Sequence, residues 1–170
     1  QRTLLNNFHG GVPSDCPHRE RLGYTGDGHV SACSSIYNFD MSQFYTKWLN
    51  DIRDAQNKEA GFVPHTAPFA GGGGGPGWGS AYIRIPWYMY MDYVDKRILE
   101  GHYGRMKHWI AYLSTRTGGN NIIEREEPGG WCLGDWCTPG RTDIPARLVN
   151  TFFYGYCTKT LSQIAHILEE

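Results

Sequence analysis

The sequence predicts a mainly α-helical protein, and three observations support this fold class. Four segments carry apolar side chains at spacings of three and four residues, the pattern of amphipathic helices. No segment alternates apolar and polar residues strictly enough to demand a long strand. Long stretches rich in glycine and proline separate the apolar segments, at residues 1–34, 57–80 and 115–146. Loops of this length suit a helical barrel in which the loops build a site at one end.

Four helices are predicted in order along the chain. The second is apolar nearly all round, so we expect an inner helix, with Pro86 near its first turn, where a proline is tolerated. Trp48, Trp87 and Trp109 lie at helical spacings, which favours core packing over ligand contact. The predicted helices span residues 35–56, 82–93, 98–113 and 149–168.

Length and charge limit the domain count and the partners. The chain has 170 residues, enough for one ordinary core, and we expect one domain over residues 1–170 without an internal boundary. Its 16 Lys and Arg are spread among 17 Asp and Glu, so neither nucleic acid nor a membrane surface is an expected partner. No apolar run approaches the roughly 18 to 20 residues of a membrane span. The partner is therefore expected to be neutral.

Aromatic residues are unusually frequent. They make up 14% of the chain, whereas only 19% of its residues are charged. Large aromatic side chains fill the cores of helical proteins, and they also stack on the apolar faces of sugar rings. Composition alone leaves both explanations open.

Neither the cysteines nor the glycine run indicates a metal or cofactor. Five cysteines form an odd, widely spread set, so a reduced state is expected, and whether Cys132 and Cys137 pair stays open. No second Cys or His cluster lies at zinc spacing, so no structural zinc is expected. The run Gly71 to Gly75 lacks the Lys-Ser/Thr of a phosphate-binding loop and predicts a flexible lid or a loop beside a pocket. We expect no cofactor.

Three carboxylates lie within thirteen residues of a glycine-rich segment, at Asp15, Glu20 and Asp27. Arg19, among other basic residues, is interleaved with them. Acids and bases this close perturb each other's protonation, which is what general acid–base catalysis requires. A solvated loop held by salt bridges explains the same pattern. Metal ligation is less favoured, because no HExxH or EF-hand spacing is present.

The same segment resembles a known family signature. Residues 13–27, PSDCPHRERLGYTGD, are similar to the signature of glycoside hydrolase family 78, the α-L-rhamnosidases. This motif of residues 13–27 is long and its residues follow a fixed order, which makes the resemblance specific. The resemblance extends over essentially the whole chain. It continues through residues 47–56, 78–81, 85–87, 133–136 and 148–151.

This resemblance implies an (α/α)₆ barrel that hydrolyses terminal α-L-rhamnosyl groups with inversion. Glu20 falls on the position of the general acid, which has to keep its proton near neutral pH, and aromatic neighbours favour this by excluding water. Tyr24 aligns with a residue that is often Trp in the family. Asp135 either binds sugar or caps a turn. The other implied sugar-binding residues are Asp15, Arg19, Asp27, Trp78 and Trp136.

The resemblance also implies that the chain is incomplete. Such a barrel needs about a dozen helices, and we predict roughly the first half of one. The family's catalytic base is a glutamate well downstream, and the acids at 124, 126 and 127 do not lie in a matching motif, so we expect the base beyond residue 170. The expected partners are the remaining catalytic domain, flanking β domains and a rhamnose-containing carbohydrate. The chain begins without Met and ends within a helical pattern, so localisation stays open, with a periplasmic or secreted protein favoured over a cytoplasmic one.

Two other functions stay open beside the rhamnosidase. One is a non-catalytic carbohydrate-binding remnant that keeps the sugar pocket but lacks a base. The other is a helical-barrel glycosidase or phosphorylase that acts on a different sugar, because a fold does not fix a function.

Overall fold

The structure is a computed structural model that describes residues 1–69, 71–125, 139–140 and 144–170. Helices dominate this part of the chain, which confirms the mainly α prediction, and one two-residue antiparallel hairpin lies near the N-terminus. The elements in order are α1 (Arg2–Asn6), β1 (Phe8–His9), β2 (Val12–Pro13), α2 (Thr25–Asn38), α3 (Ser42–Ala55), α4 (Pro76–Gly79), α5 (Ala81–Tyr93), α6 (Arg97–Ser114) and α7 (Ala146–Leu168).

The first predicted helix is wrong, because the chain forms two helices there. Helix α2 ends at Asn38, and Phe39 is extended, with φ −145° and ψ 155°. The Asp40 carboxylate accepts a 3.0 Å hydrogen bond from the Ser42 amide at the start of α3. A local side-chain acceptor of this kind competes with continuous helical hydrogen bonding.

The long N-terminal loop predicted for residues 1–34 is also wrong in part, because α2 already begins at Thr25. Its first turns contain Gly26 and Gly28, which lower helix propensity and made the segment look irregular. A methyl group at Gly26 would clash with the Trp78 ring, and one at Gly28 would clash with the Trp48 ring. These glycines allow close packing within a helix and do not mark a turn.

Helix α5 is the inner helix that the sequence predicts over most of its length. It contacts α2, α3, α6 and α7, and Tyr82, Ile83 and Ile85 are fully buried. Pro86 lies well inside the helix and not near its first turn, which corrects the expected position. Its missing N–H leaves the carbonyl of Tyr82 without the usual helical donor. The end of α5 reaches the surface, where Met91 is exposed.

The core lies between α3, α5 and α6, with α7 packed against α4, α5 and α6. Trp48 and Trp109 are fully buried, as predicted, whereas Trp87 is only partly buried at the edge of the core. Leu148 and Phe152 leave an apolar strip exposed on α7. None of the helices in the described ranges is long and apolar enough to cross a membrane.

The glycine run before α4 packs into the molecule. Residues 73–75 are buried, and Gly75 adopts a φ of +80°, which favours glycine. The run is therefore a packed loop beside the candidate site and not an exposed lid.

Candidate active site

The loop that carries Glu20 is closed at its base by two hydrogen bonds between Asp15 and Leu22. The Asp15 amide donates to the Leu22 carbonyl oxygen at 3.1 Å, and the Leu22 amide donates to Asp15 Oδ1 at 3.0 Å. Arg21 turns the chain with a φ of +55°, a conformation that costs energy in a residue with a side chain. One carboxylate oxygen of Asp15 thus holds the loop, and this structural role was not expected from the sequence.

Glu20 and Tyr24 are joined directly. The Tyr24 hydroxyl donates to Glu20 Oε2 over 2.6 Å, a length typical of a hydroxyl bound to a charged oxygen. This hydrogen bond, together with burial and the negative charges of Glu20, Asp15 and Asp27, raises the pKa of Tyr24 to about 12. Tyr24 therefore keeps its proton and acts as a donor at physiological pH.

A second segment fixes the position of Tyr24. Its ring stacks on the His65 ring, with centroids 5.5 Å apart and planes 12° from parallel. The Thr25 amide donates to the His65 carbonyl oxygen at 2.8 Å, and the His65 amide donates to Gly72 at 2.9 Å. Burial lowers the pKa of His65, which favours its neutral form. His65 could not be predicted as a site residue from the sequence, because an isolated histidine in a loop carries no motif.

Asp27 lies in the first turn of α2, close to the same loop. Although the residue is exposed on the surface, surrounding protein atoms partly dehydrate its carboxylate, and this raises the pKa of Asp27. The negative charges of Asp15 and Glu20 raise it further. Asp15 and Glu20 thus lie close enough to Asp27 for their charges to act on it.

Trp78 supplies an aromatic surface beside Asp27. It lies in the short helix α4, and its ring packs against the α2 backbone at Gly26, where no side chain fits. The residue is partly exposed, while its buried Nε1 has no hydrogen-bond partner among the residues that the structure describes. The structure therefore brings Trp78 to Gly26, the residue before Asp27, although 51 positions separate Trp78 from Asp27 in the sequence.

A buried histidine lies beneath this contact and ties α2 to α4. His29 Nε2 lies 2.8 Å from the Gly77 carbonyl oxygen, and the Arg84 guanidinium donates to His29 Nδ1 at 3.0 Å. Because a guanidinium only donates, Nδ1 has to accept, which places the hydrogen on Nε2 of a neutral ring. Burial and the charge of Arg84 lower the pKa of His29 to about 4. The Ser80 hydroxyl also donates to the Gly77 carbonyl oxygen, at 2.7 Å.

The remaining predicted residues are either exposed or outside the described residues. Arg19 is exposed on the Glu20 loop and forms no ion pair with any residue in the described ranges. Glu124 is exposed beside Gly118. No three metal-binding side chains in the described ranges lie close enough to hold a metal ion. The remaining candidates lie outside the described residues: Asp135, Trp136, Cys132, Cys137, Glu126 and Glu127.

The assembled site is suited to a neutral, hydroxyl-rich ligand. It combines carboxylates that accept hydrogen bonds from hydroxyls with two aromatic faces, from Tyr24 and Trp78, that pack on C–H surfaces. Glu20 is an exposed carboxyl of this site, held by a phenol that does not ionise at physiological pH. Such a carboxyl is a candidate general acid.

Comparison with known sequences identifies similar proteins over almost the whole chain. A family model described as the bacterial alpha-L-rhamnosidase 6 hairpin glycosidase domain matches residues 1–170. An alpha-L-rhamnosidase of Streptomyces avermitilis is 34% identical over 157 residues, which are 91% of this chain and 14% of that protein. One from Alteromonas sp. (strain LOR) is 36% identical over 163 residues, which are 89% of this chain and 17% of that protein.

Solved structures agree with the sequence comparison. The alpha-L-rhamnosidase from Dictyoglumus thermophilum matches with a TM-score of 0.85 and 38% identity, over 99% of this chain and 20% of that one. The Streptomyces avermitilis alpha-L-rhamnosidase complexed with L-rhamnose matches with a TM-score of 0.85 and 31% identity, over 99% of this chain and 17% of that one. These matches confirm both the predicted fold class, part of a helical six-hairpin barrel, and the resemblance found in the sequence. The chain belongs to the family of bacterial α-L-rhamnosidase six-hairpin glycosidase domains.

Proposed function

We propose that this chain supplies the proton-donating half of an inverting α-L-rhamnosidase active site, with Glu20 as the general acid. The observation that carries the proposal is the hydrogen bond between Tyr24 and Glu20, which holds an exposed carboxyl beside Asp15 and Asp27. A neutral Glu20 gives its proton to the glycosidic oxygen as the bond between that oxygen and the anomeric carbon breaks. Water adds to the opposite face of the anomeric carbon, and a second carboxylate takes the proton that this water loses.

The other residues of the site fit the binding of one rhamnosyl group. Asp27 and the free oxygen of Asp15 accept hydrogen bonds from sugar hydroxyls, and Arg19 donates to them. The two carboxylates also stabilise the positive charge that develops on the ring in an oxocarbenium-like transition state. The faces of Tyr24 and Trp78 pack on the C–H surfaces and the methyl group of this 6-deoxy sugar. Asp135 and Trp136 are proposed to complete the pocket.

The catalytic base is proposed to lie beyond residue 170. The chain spans 14% and 17% of the length of the two relatives described above, so most of each relative has no counterpart in this segment. An inverting site also needs its second carboxylate roughly 6.5 to 9.5 Å from the acid. We propose that one domain over residues 1–170 joins further helices and flanking β domains in the full-length protein, and that the isolated segment does not turn over.

Hydrolysis of an aryl α-L-rhamnoside by the full-length protein, followed by proton NMR, tests this function. Inversion releases β-L-rhamnose first, and the α anomer then appears by mutarotation. An aryl α-L-mannoside is the matched control, because it differs only by a hydroxyl group at C6, and we expect it to react more slowly. Initial release of the α anomer would contradict inversion.

Rhamnose binding and a panel of other glycosides, both measured with the full-length protein, separate the two other functions that the sequence left open. Binding of rhamnose without any turnover by the full-length protein would indicate a carbohydrate-binding remnant. Faster cleavage of a different sugar in a glycoside panel would indicate another helical-barrel glycosidase or phosphorylase.

A further inference from the structure

The hydroxyl group of Tyr24 has no part in the sugar contacts proposed above, for which the ring alone is sufficient. We propose that Tyr24 is a positioning residue for the general acid: its hydroxyl binds Oε2 of Glu20 and leaves Oε1 to carry the proton toward the glycosidic oxygen. This inference rests on the proposed function, since it requires Glu20 to be the acid. The role depends on the hydroxyl group of Tyr24. The family that the sequence resembles often has Trp at this position, and Trp has no such hydroxyl group.

Tyr24 is held much more firmly than Glu20. The Tyr24 amide donates to the Leu22 carbonyl oxygen at 2.9 Å, and the Tyr24 carbonyl oxygen accepts from Gly28 at 3.0 Å. Tyr24 also pairs with Thr66 in an isolated antiparallel bridge, and its ring stacks on His65. Glu20, by contrast, is exposed on its loop, and within the described ranges its side chain has Tyr24 as its only hydrogen-bond partner. The phenol therefore sets the orientation of the carboxyl group.

The hydrogen bond also selects the oxygen that carries the proton. In a carboxylic acid the carbonyl oxygen is the better acceptor, so a donor at Oε2 favours the tautomer with its hydrogen on Oε1. As the proton leaves Oε1, negative charge develops on the carboxylate, and the bond from Tyr24 becomes charge-assisted and stronger. An interaction that strengthens toward the transition state accelerates the chemical step and not only binding.

The surrounding charges keep Tyr24 in its role as a donor. The hydrogen bond to Glu20, burial and the negative charges around Tyr24, which after Glu20 has given up its proton include Glu20 as well as Asp15 and Asp27, raise the pKa of Tyr24 to about 12. The phenol therefore does not compete with Glu20 as a proton source. The neighbouring ring, His65, has a lowered pKa and contributes no positive charge at neutral pH.

The full-length enzyme with Tyr24→Phe tests this role, because Phe keeps the ring and its stack on His65 and removes only the hydroxyl. We compare kcat and KM on an alkyl α-L-rhamnoside, which needs protonation of its leaving group, and on a dinitrophenyl α-L-rhamnoside, which does not. The expected result is a loss in kcat of about tenfold or more on the alkyl substrate and of about twofold or less on the activated one. KM is expected to stay within about twofold on both.

Glu20→Gln alone and the double variant provide the controls. In the Glu20→Gln background no carboxylate charge develops, so adding Tyr24→Phe should cost nothing further on the alkyl substrate. A Tyr24→Phe loss that is equal on both substrates, or that persists in the Glu20→Gln background, overturns the positioning role. If Glu20→Gln itself loses activity equally on both substrates, the proposed acid is wrong. If Glu20→Gln shows the expected selectivity and Tyr24→Phe does not, only the positioning role is wrong.

Discussion

The indole ring of Trp78 lies directly against the backbone of Gly26, so closely that a methyl group there would overlap it. This contact brings α4 onto the first turn of α2, where Asp27 lies in the next position of the chain. One face of the proposed sugar pocket thus depends on the absence of a side chain.

Gly26→Ala is expected to displace Trp78 and to destabilise the protein by about 1–3 kcal/mol, the cost of overfilling a packed contact. Rhamnose affinity should fall with it, because Trp78 moves. Thermal unfolding and rhamnose titration of the full-length protein measure both effects.

Gly101→Ala is the matched control, since Gly101 is exposed in α6 with nothing near its missing side chain. That change should stabilise the helix by about 0.5–1 kcal/mol. Equal effects of the two variants would show that the Trp78 contact is unimportant.

His29 is expected to make stability fall in mildly acidic solution. Its pKa in the folded protein, about 4, lies below the ordinary value of 6.5, so the unfolded chain binds a proton first as the pH decreases. The stability from neutral His29 is fully present above about pH 6.5 and is lost as the pH falls to about 4. The expected loss is of the order of 2–3 kcal/mol.

A His29→Gln variant isolates this effect, because its amide nitrogen can replace the donor to Gly77 and does not titrate. Unfolding free energies of both full-length proteins are measured from pH 7 to pH 4. His102, whose pKa burial also lowers to about 4, titrates in both proteins and cancels in the difference. The difference in unfolding free energy between wild type and His29→Gln should change between pH 7 and pH 4. A constant difference would show that His29 gains its proton as readily when folded as when unfolded.

Tyr24 should stay protonated well above the ordinary pKa of a tyrosine. The hydrogen bond to Glu20 is the largest cause of its raised pKa, and Glu20 contributes again through its charge. Glu20→Gln removes the charge, so the pKa of Tyr24 should fall from about 12 toward 10, as followed by NMR of tyrosines labelled at the ring carbon bearing oxygen. Asp27→Asn is the control, since Asp27 is the smallest of the causes, and it should produce a smaller change. The opposite ranking would show that Glu20 is not the main partner of Tyr24.

Parts of this fold were predictable because the information is local. The apolar periodicity of residues 98–113 and 149–168 predicted α6 and most of α7. The start of α2 was not predictable in this way, because Gly26 and Gly28 disfavour a helix locally. The two glycines are needed because the rings of Trp78 and Trp48, from other parts of the chain, pack directly against the helix at these positions. Tertiary packing overrides local propensity at this point.

The candidate site was likewise predictable only in part. The motif around Glu20 contains the three carboxylates, and in the structure the charges of Asp15 and Glu20 raise the pKa of both Asp27 and Tyr24. The contacts of His65 with Tyr24 and of His29 with Gly77 could not be predicted, since they join residues 41 and 48 positions apart in the sequence. Ring stacking and hydrogen bonding over such separations depend on the folded backbone and leave no pattern in a single sequence.

The leaving-group dependence of the full-length enzyme is the most direct test of Glu20 as the general acid. Values of kcat/KM are measured for wild type and Glu20→Gln on a series of aryl α-L-rhamnosides whose leaving phenols differ in acidity. We predict a shallow dependence for wild type and a steep one for the variant, with a loss of about 10²–10⁴-fold on the least acidic phenols and little loss on the most acidic ones. Parallel lines for the two proteins would contradict the assignment of Glu20 as the proton donor.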